Sequence, residues 1–136
     1  MSDKTFKVGN SEYKVTPMEP SRAIDFCTDV TVALSPVLSA IEVGGAGGIG
    51  ELVLKVIPNL GLVNSDKLKT IFKEVREQVT LPNGYLASSE FHFHEWFKTH
   101  PQDLLVVHVR GLFVIVSDFF PQELGTIIEG LNSKKV

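Results

Sequence analysis

The sequence predicts an α+β fold, mainly α: an N-terminal β-hairpin packed on a small helical domain with a central apolar helix near 101–120. Three observations carry this expectation. Gly9-Asn10 separates two short alternating segments, which is a hairpin signal. The stretch PQDLLVVHVRGLFVIVSDFF is the longest apolar run in the chain, and it lies between Pro101 and Pro121. Several segments between these two features repeat apolar residues at helical spacing.

The hairpin is expected over 5–16. A two-residue loop at Gly9-Asn10 sets Phe6 opposite Tyr13 and Lys7 opposite Glu12. One face then carries an aromatic pair and the other an opposite-charge pair. A lone hairpin is marginal in water, so the aromatic face should lie on a helix. Residues 16–20 form a proline-bounded link. Ala23, Ile24, Cys27, Val30, Leu34, Leu38 and Ile41 keep helical spacing over 20–43. Pro36 interrupts this segment, so it is either one kinked helix or two helices, 20–34 and 36–43. Five glycines in residues 43–50 argue against regular structure and mark 44–50 as a flexible connector. No Gly-Lys-Ser/Thr closes that stretch, so it is not a phosphate-cradling loop.

A short helix is expected at 51–57, ended by Pro58-Asn59 and Gly61. Ser65 can cap the next helix, at 66–79. There Leu68, Ile71, Phe72, Val75 and Val79 form an apolar face opposite Lys67, Lys69, Lys73, Glu74 and Arg76. Asn83-Gly84 marks a turn within either a small hairpin or a loop. Ser88 or Ser89 caps an aromatic helix at 89–98. In the run 101–120, Pro101 suits the first helical position and Asp103 places a carboxylate in the first turn. Asp103, Arg110 and Ser117 recur every seven residues as a narrow polar stripe. Leu105, Val109, Leu112, Phe113 and Val116 follow helical spacing on another side. The competing reading is two strands, VVHVR and LFVIV, meeting near Gly111. Length and proline punctuation favour the helix. Asp103, His108, Arg110 and Asp118 interrupt the run too often for a membrane span. A last helix at 122–131 and a polar tail complete a single domain, 1–136.

The chain is long enough to bury a core without disulfides or metals. Thirteen basic against sixteen acidic residues, a net charge of −3, give no electrostatic case for nucleic acid or for an anionic membrane surface. Cys27 is the only cysteine, so no internal disulfide can form, and a reducing compartment is the easier setting. The polar N-terminus does not read as a secretory signal.

No nucleophile–base arrangement stands out, and an enzyme is not expected. Asp25 with Asp29, and Glu90 with Glu95, read as ordinary surface carboxylates. His92, His94 and Glu95 are the metal-ligand candidates, but on a helix residues i and i+2 diverge. No metal or cofactor is therefore expected. The aromatic residues are more informative. Phe93, Trp96, Phe97, Phe119 and Phe120 are the candidate partner-binding residues, because aromatic anchors dominate interface energetics. Replacing Trp96 and Phe97 by alanine should then weaken partner binding more than thermal stability.

The order of features resembles the tail assembly chaperones of long-tailed double-stranded DNA bacteriophages. The resemblance rests on the short β-element at Phe6–Val15 and the interrupted apolar helix at Ala23–Ile41. It extends to the aromatic segment with Phe91, Phe93 and Phe97, then Leu104-Leu105 after a proline, then Phe113 and Phe119-Phe120. It implies a non-catalytic protein in the cytoplasm of the infected bacterial host. Such a protein binds the tape measure protein and helps recruit tail tube subunits, with self-association compatible. Two rival readings stand beside it. One is a small phage protein-interaction module that binds a host protein, such as a bacterial defence or immunity factor. The other is a metal-dependent enzyme using His92, His94 and Glu95.

Overall fold

The computed structural model describes residues 3–41 and 53–119. The glycine-rich connector 44–50, the last helix 122–131 and Phe120 lie outside the described residues, as do 42–43, 51–52 and the tail. Strands β1 (Lys4–Val8) and β2 (Ser11–Val15) form the expected hairpin. Phe6 pairs with Tyr13 and Lys7 with Glu12. Gly9 has φ +60 while Asn10 stays at negative φ, the sign pattern of a type II′ turn with glycine first.

Helix α1 (Pro20–Ala40) opens on Pro20, whose missing N–H costs nothing at the first position. It is one helix with Pro36 inside it, neither split in two nor extended to 43. Val32, the residue whose carbonyl Pro36 leaves without a donor, is exposed, so water can serve that carbonyl. Ala23, Phe26, Cys27, Val30, Ala33, Leu34 and Val37 form its buried stripe. Ile24 belongs to the periodic set in sequence but stands 67% exposed, because the buried face is centred on Phe26 and Val30. The helix is long and apolar enough to cross a membrane by length and composition. In this fold its inner stripe packs within the body.

The short helix expected at 51–57 does not stop at Pro58. Residues 53–56 are α-helical and continue into a 3₁₀ turn, Ile57–Leu62. Pro58 sits near the start of that turn, where no N–H is needed. Helix α2 (Ser65–Gln78) is capped by Asn64, not Ser65: Asn64 Oδ1 accepts from the N–H groups of Asp66 (3.0 Å) and Lys67 (3.2 Å).

Val79 was expected to end this helix. It instead begins β3 (Val79–Thr80), which pairs antiparallel with β2 through Val15↔Val79 and Lys14↔Thr80. The sheet order is β1-β2-β3, with β2 central. Residues 80–86 then form the small-hairpin alternative. Thr80 bridges Leu86, and Pro82 and Asn83 occupy the turn closed by Gly84 N–H to Leu81 C=O at 2.9 Å.

Helix α3 (Glu90–Thr99) follows Ser89. Pro101 starts a 3₁₀ turn, Pro101–Asp103, that leads into helix α4 (Leu104–Phe119). The run is therefore helical, and the two-strand alternative is excluded. Gly111 has a packing reason: a Cβ there would lie 3.0 Å from Val75 Cγ1, so glycine lets α4 approach α2 closely. Val107, Val109, Leu112, Phe113 and Ile115 are buried. At ~1.5–3 kcal/mol for each large side chain removed from water, they make α4 a principal contributor to the core. Leu105, expected on the apolar side, is exposed at the outer start of the helix.

The polar stripe of α4 is where the hairpin docks. Asp103 accepts from Tyr13 Oη, and Arg110 Nη1 donates to Lys7 C=O at 2.9 Å. The Arg110 guanidinium lies 5.4 Å from the Phe6 ring centroid. Ser117 turns back onto Val114 C=O instead.

Candidate functional site

Helix α3 carries the richest side-chain chemistry among the described residues. Its inner side starts from helical spacing: residues 93, 96 and 97 share a face. Phe97 is 6% exposed and stacks parallel to Tyr13 at 6.5 Å between ring centroids. Phe93 is half-buried, with its ring tilted against Phe97 at 5.1 Å and edge-on to His108 at 5.8 Å. Trp96 is half-buried, T-shaped to Tyr13, and stacked on His100 at 4.0 Å.

Tyr13 ties this group together. Its hydroxyl donates to Asp103 Oδ2 at 2.8 Å and accepts from Trp96 Nε1 at 2.9 Å. Burial first, with the Asp103 carboxylate adding to it, pushes the phenol above its ordinary pKa, so it stays protonated. The hairpin, α3 and the 3₁₀ turn that leads into α4 are thus fastened by one hydroxyl. A buried polar group with both roles filled costs little and fixes geometry.

A second polar centre lies beneath the same face. His108 is buried on α4. Its Nδ1 bonds Leu104 C=O at 2.7 Å, and its Nε2 faces Arg76 Nη1 at 3.2 Å. Since the guanidinium can only donate, Nε2 is the acceptor and Nδ1 carries the proton. Burial lowers the imidazole pKa to about 4, with the positive charge of Arg76 acting in the same direction. His108 is therefore neutral at neutral pH. Arg76 also lies 4.7 Å from the Phe93 ring centroid.

The outer side of α3 is open. Phe91 is 68% exposed. It meets His92 edge-on at 5.3 Å, and His92 stacks on exposed Tyr85 at 3.8 Å. Ser89 Oγ lies 2.9 Å from His92 Nδ1 and makes no side-chain cap to the helix it precedes. Leu86, next to Tyr85, is also exposed. The result is an exposed patch of Tyr85 and Phe91 around one imidazole.

The fold brings together Phe93, Trp96 and Phe97 of the five residues nominated from sequence. Phe119 ends α4, eleven residues beyond His108 and so roughly 16 Å along the axis. Phe120 lies outside the described residues. Phe97 presents almost no surface, and the indole N–H of Trp96 is already committed to Tyr13. Tyr85, Leu86 and Phe91, all exposed, were missed. A signal existed for Phe91, which lies about 160° round the helix from Phe93.

His92 and His94 diverge as expected for a helix: His92 turns to Tyr85 and His94 toward a cleft beside α2. Among the described residues, no three of His, Cys, Asp and Glu come together as a metal site. Asp25 and Asp29 are exposed on α1. They act electrostatically on Glu74 of α2, whose pKa is raised chiefly by burial. Comparison with known protein families, curated proteins and solved structures gives no match.

Proposed function

We propose that this protein is a non-catalytic phage tail assembly chaperone. It binds apolar helical segments of a tape measure protein and helps recruit tail tube subunits in the cytoplasm of the infected host. The observation that carries this reading is apolar surface left open on a well-packed body. Tyr85 and Phe91 flank His92, and Leu86, Ile24 and Val32 also stand exposed, the last two on the outer face of α1. Sheltering a greasy helix requires such surface.

The order hairpin, long proline-containing helix, aromatic helix and apolar helix supports the same reading through the resemblance noted above. The polar groups that meet are engaged in holding elements together: Tyr13 with Asp103 and Trp96, and His108 with Leu104 and Arg76. That favours a binding role over bond-making chemistry.

The test is co-expression with the tape measure protein from the neighbouring genes. The expected outcome is a soluble tape measure protein that co-purifies with this chain and loses that solubility with Phe91→Ser. If no long helical reading frame lies beside the gene, or the tape measure protein stays insoluble, the reading fails. Capture of a host defence protein by the same surface would then favour the rival interaction module.

A further inference from the structure

The cleft between α2 and α3 has a volume of about 310 Å³. Helix α2 contributes Lys73, Arg76 and Glu77 to its walls, and α3 contributes Glu90, Phe93 and His94. Lys73 and Arg76 are three residues apart, so they project from neighbouring turns of one face. Arg76 is half-buried; the side chains it touches, the His108 imidazole and the Phe93 ring, are neutral, and Glu90 acts on it electrostatically from the facing wall.

Among the described residues no carboxylate lies within ion-pair distance of Arg76, and Lys73 has no ion pair. Glu77 is taken by Arg22 at 3.1 Å, which leaves Glu90 as the one wall carboxylate not so engaged. The guanidinium is partly withdrawn from water and has donors to spare; burial lowers its pKa, and the charge of Glu90 across the cleft offsets that burial only in part.

We propose that this cleft is a carboxylate-binding site, anchored by Arg76 and flanked by Lys73 and His94. A planar monoanion matches the fork of the guanidinium. A phosphate dianion suits the cleft less, because Glu77 and Glu90 stand in its walls. Phe93 and Ala87 supply an apolar wall for the carbon atoms attached to the carboxylate. The carboxylate can belong to a free small acid, a polypeptide C-terminus or a glutamate side chain. The inference stands apart from the tail-assembly reading, since it requires only the described cleft.

The experiment is an NMR titration of the full ¹⁵N-labelled chain at constant ionic strength. Its probes are sodium acetate, a capped tripeptide with a central glutamate, an acetylated dipeptide with a free C-terminus, inorganic phosphate and sodium chloride. The expected result is saturable shifts at Lys73, Arg76, Ser88 and His94 with at least one carboxylate probe, and a rise in the His108 pKa as the bound anion offsets Arg76. The tightest of the three carboxylate probes identifies the source. Arg76→Gln should weaken binding at least tenfold. If that variant fails to fold, exposed Lys73→Glu carries the same test, with a loss of severalfold or more. Shifts no different from those with chloride, tighter binding of phosphate than of any carboxylate, or unchanged affinity in the folded variant would overturn the proposal.

Discussion

On its inner side, α3 sets Phe93, Trp96 and Phe97 against Tyr13 and His108, with each polar atom of the group given a partner. On its outer side, ten or so ångströms away across the helix, Phe91 stands in solvent beside a stacked His92–Tyr85 pair. The two sides carry similar aromatic chemistry. What separates them is the angle each residue takes round one helix, and what that angle meets. The inner aromatics meet the hairpin and α4, so they hold the fold. The outer ones meet water, so they are available to a partner. An aromatic count along the chain cannot make that distinction.

The largest expected effect tests the closed side. Phe97→Ala should cost about 3–5 kcal/mol of stability, the range for an aromatic removed from a core. Urea unfolding measures it. A loss below about 1 kcal/mol would mean that Phe97 is not buried in solution, and the contrast between the two sides would break.

The next effect is pH-dependent. The folded pKa of His108, about 4, lies below its ordinary 6.5. Between these values the unfolded chain binds the extra proton and the folded chain does not. Stability contributed by neutral His108 is therefore fully present above pH 6.5 and is lost as pH falls toward 4, by about 3 kcal/mol in all. An imidazole NMR titration combined with unfolding at pH 7 and near 4.5 checks both sign and window. A His108 titrating near 6.5 would mean that water reaches the inner face.

Tyr13→Phe keeps the ring and removes the hydroxyl shared by Asp103 and Trp96. It should cost about 2 kcal/mol, because it leaves a donor and an acceptor unpaired where they had been satisfied. Indole fluorescence should change with it, since Trp96 loses its hydrogen-bond acceptor. No change in either quantity would remove Tyr13 as the fastening point.

The smallest expected effect on stability sharpens the comparison from the open side. Phe91→Ser should shift stability by no more than ~0.5 kcal/mol, as surface changes do. A thermal melt resolves it. A loss of several kcal/mol would show that Phe91 is covered, which removes the main open aromatic from the patch.

Much of the fold was legible because its local signals are strong. Gly9-Asn10 fixed the hairpin register down to the Phe6–Tyr13 pair. Length and flanking prolines separated helix from strand at 101–120. The spacing of Leu68, Ile71, Phe72 and Val75 located the inner face of α2, with Ile71 and Val75 fully inside. The stripe Asp103–Arg110–Ser117 was visible as a pattern, but not as the seat of the hairpin. Two of its members reach residues some ninety to one hundred positions away in sequence. The candidate site was legible as a segment, not as a surface. Phe93 and Phe97 were marked, and their exposed counterparts Tyr85 and Leu86 were not, since exposure depends on which neighbours arrive.

The sequence by itself determined the hairpin, the helices among the described residues and the faces most of them bury, because turn chemistry and apolar period act over a few residues. Tertiary structure decided that Val79 leaves its helix to join a sheet and that Gly111 admits a neighbouring helix. It also decided that one tyrosine hydroxyl joins three elements and that His108 stays neutral beside an arginine. Each of these depends on a partner brought from far along the chain. The energy of such a contact exists only once the partner has arrived.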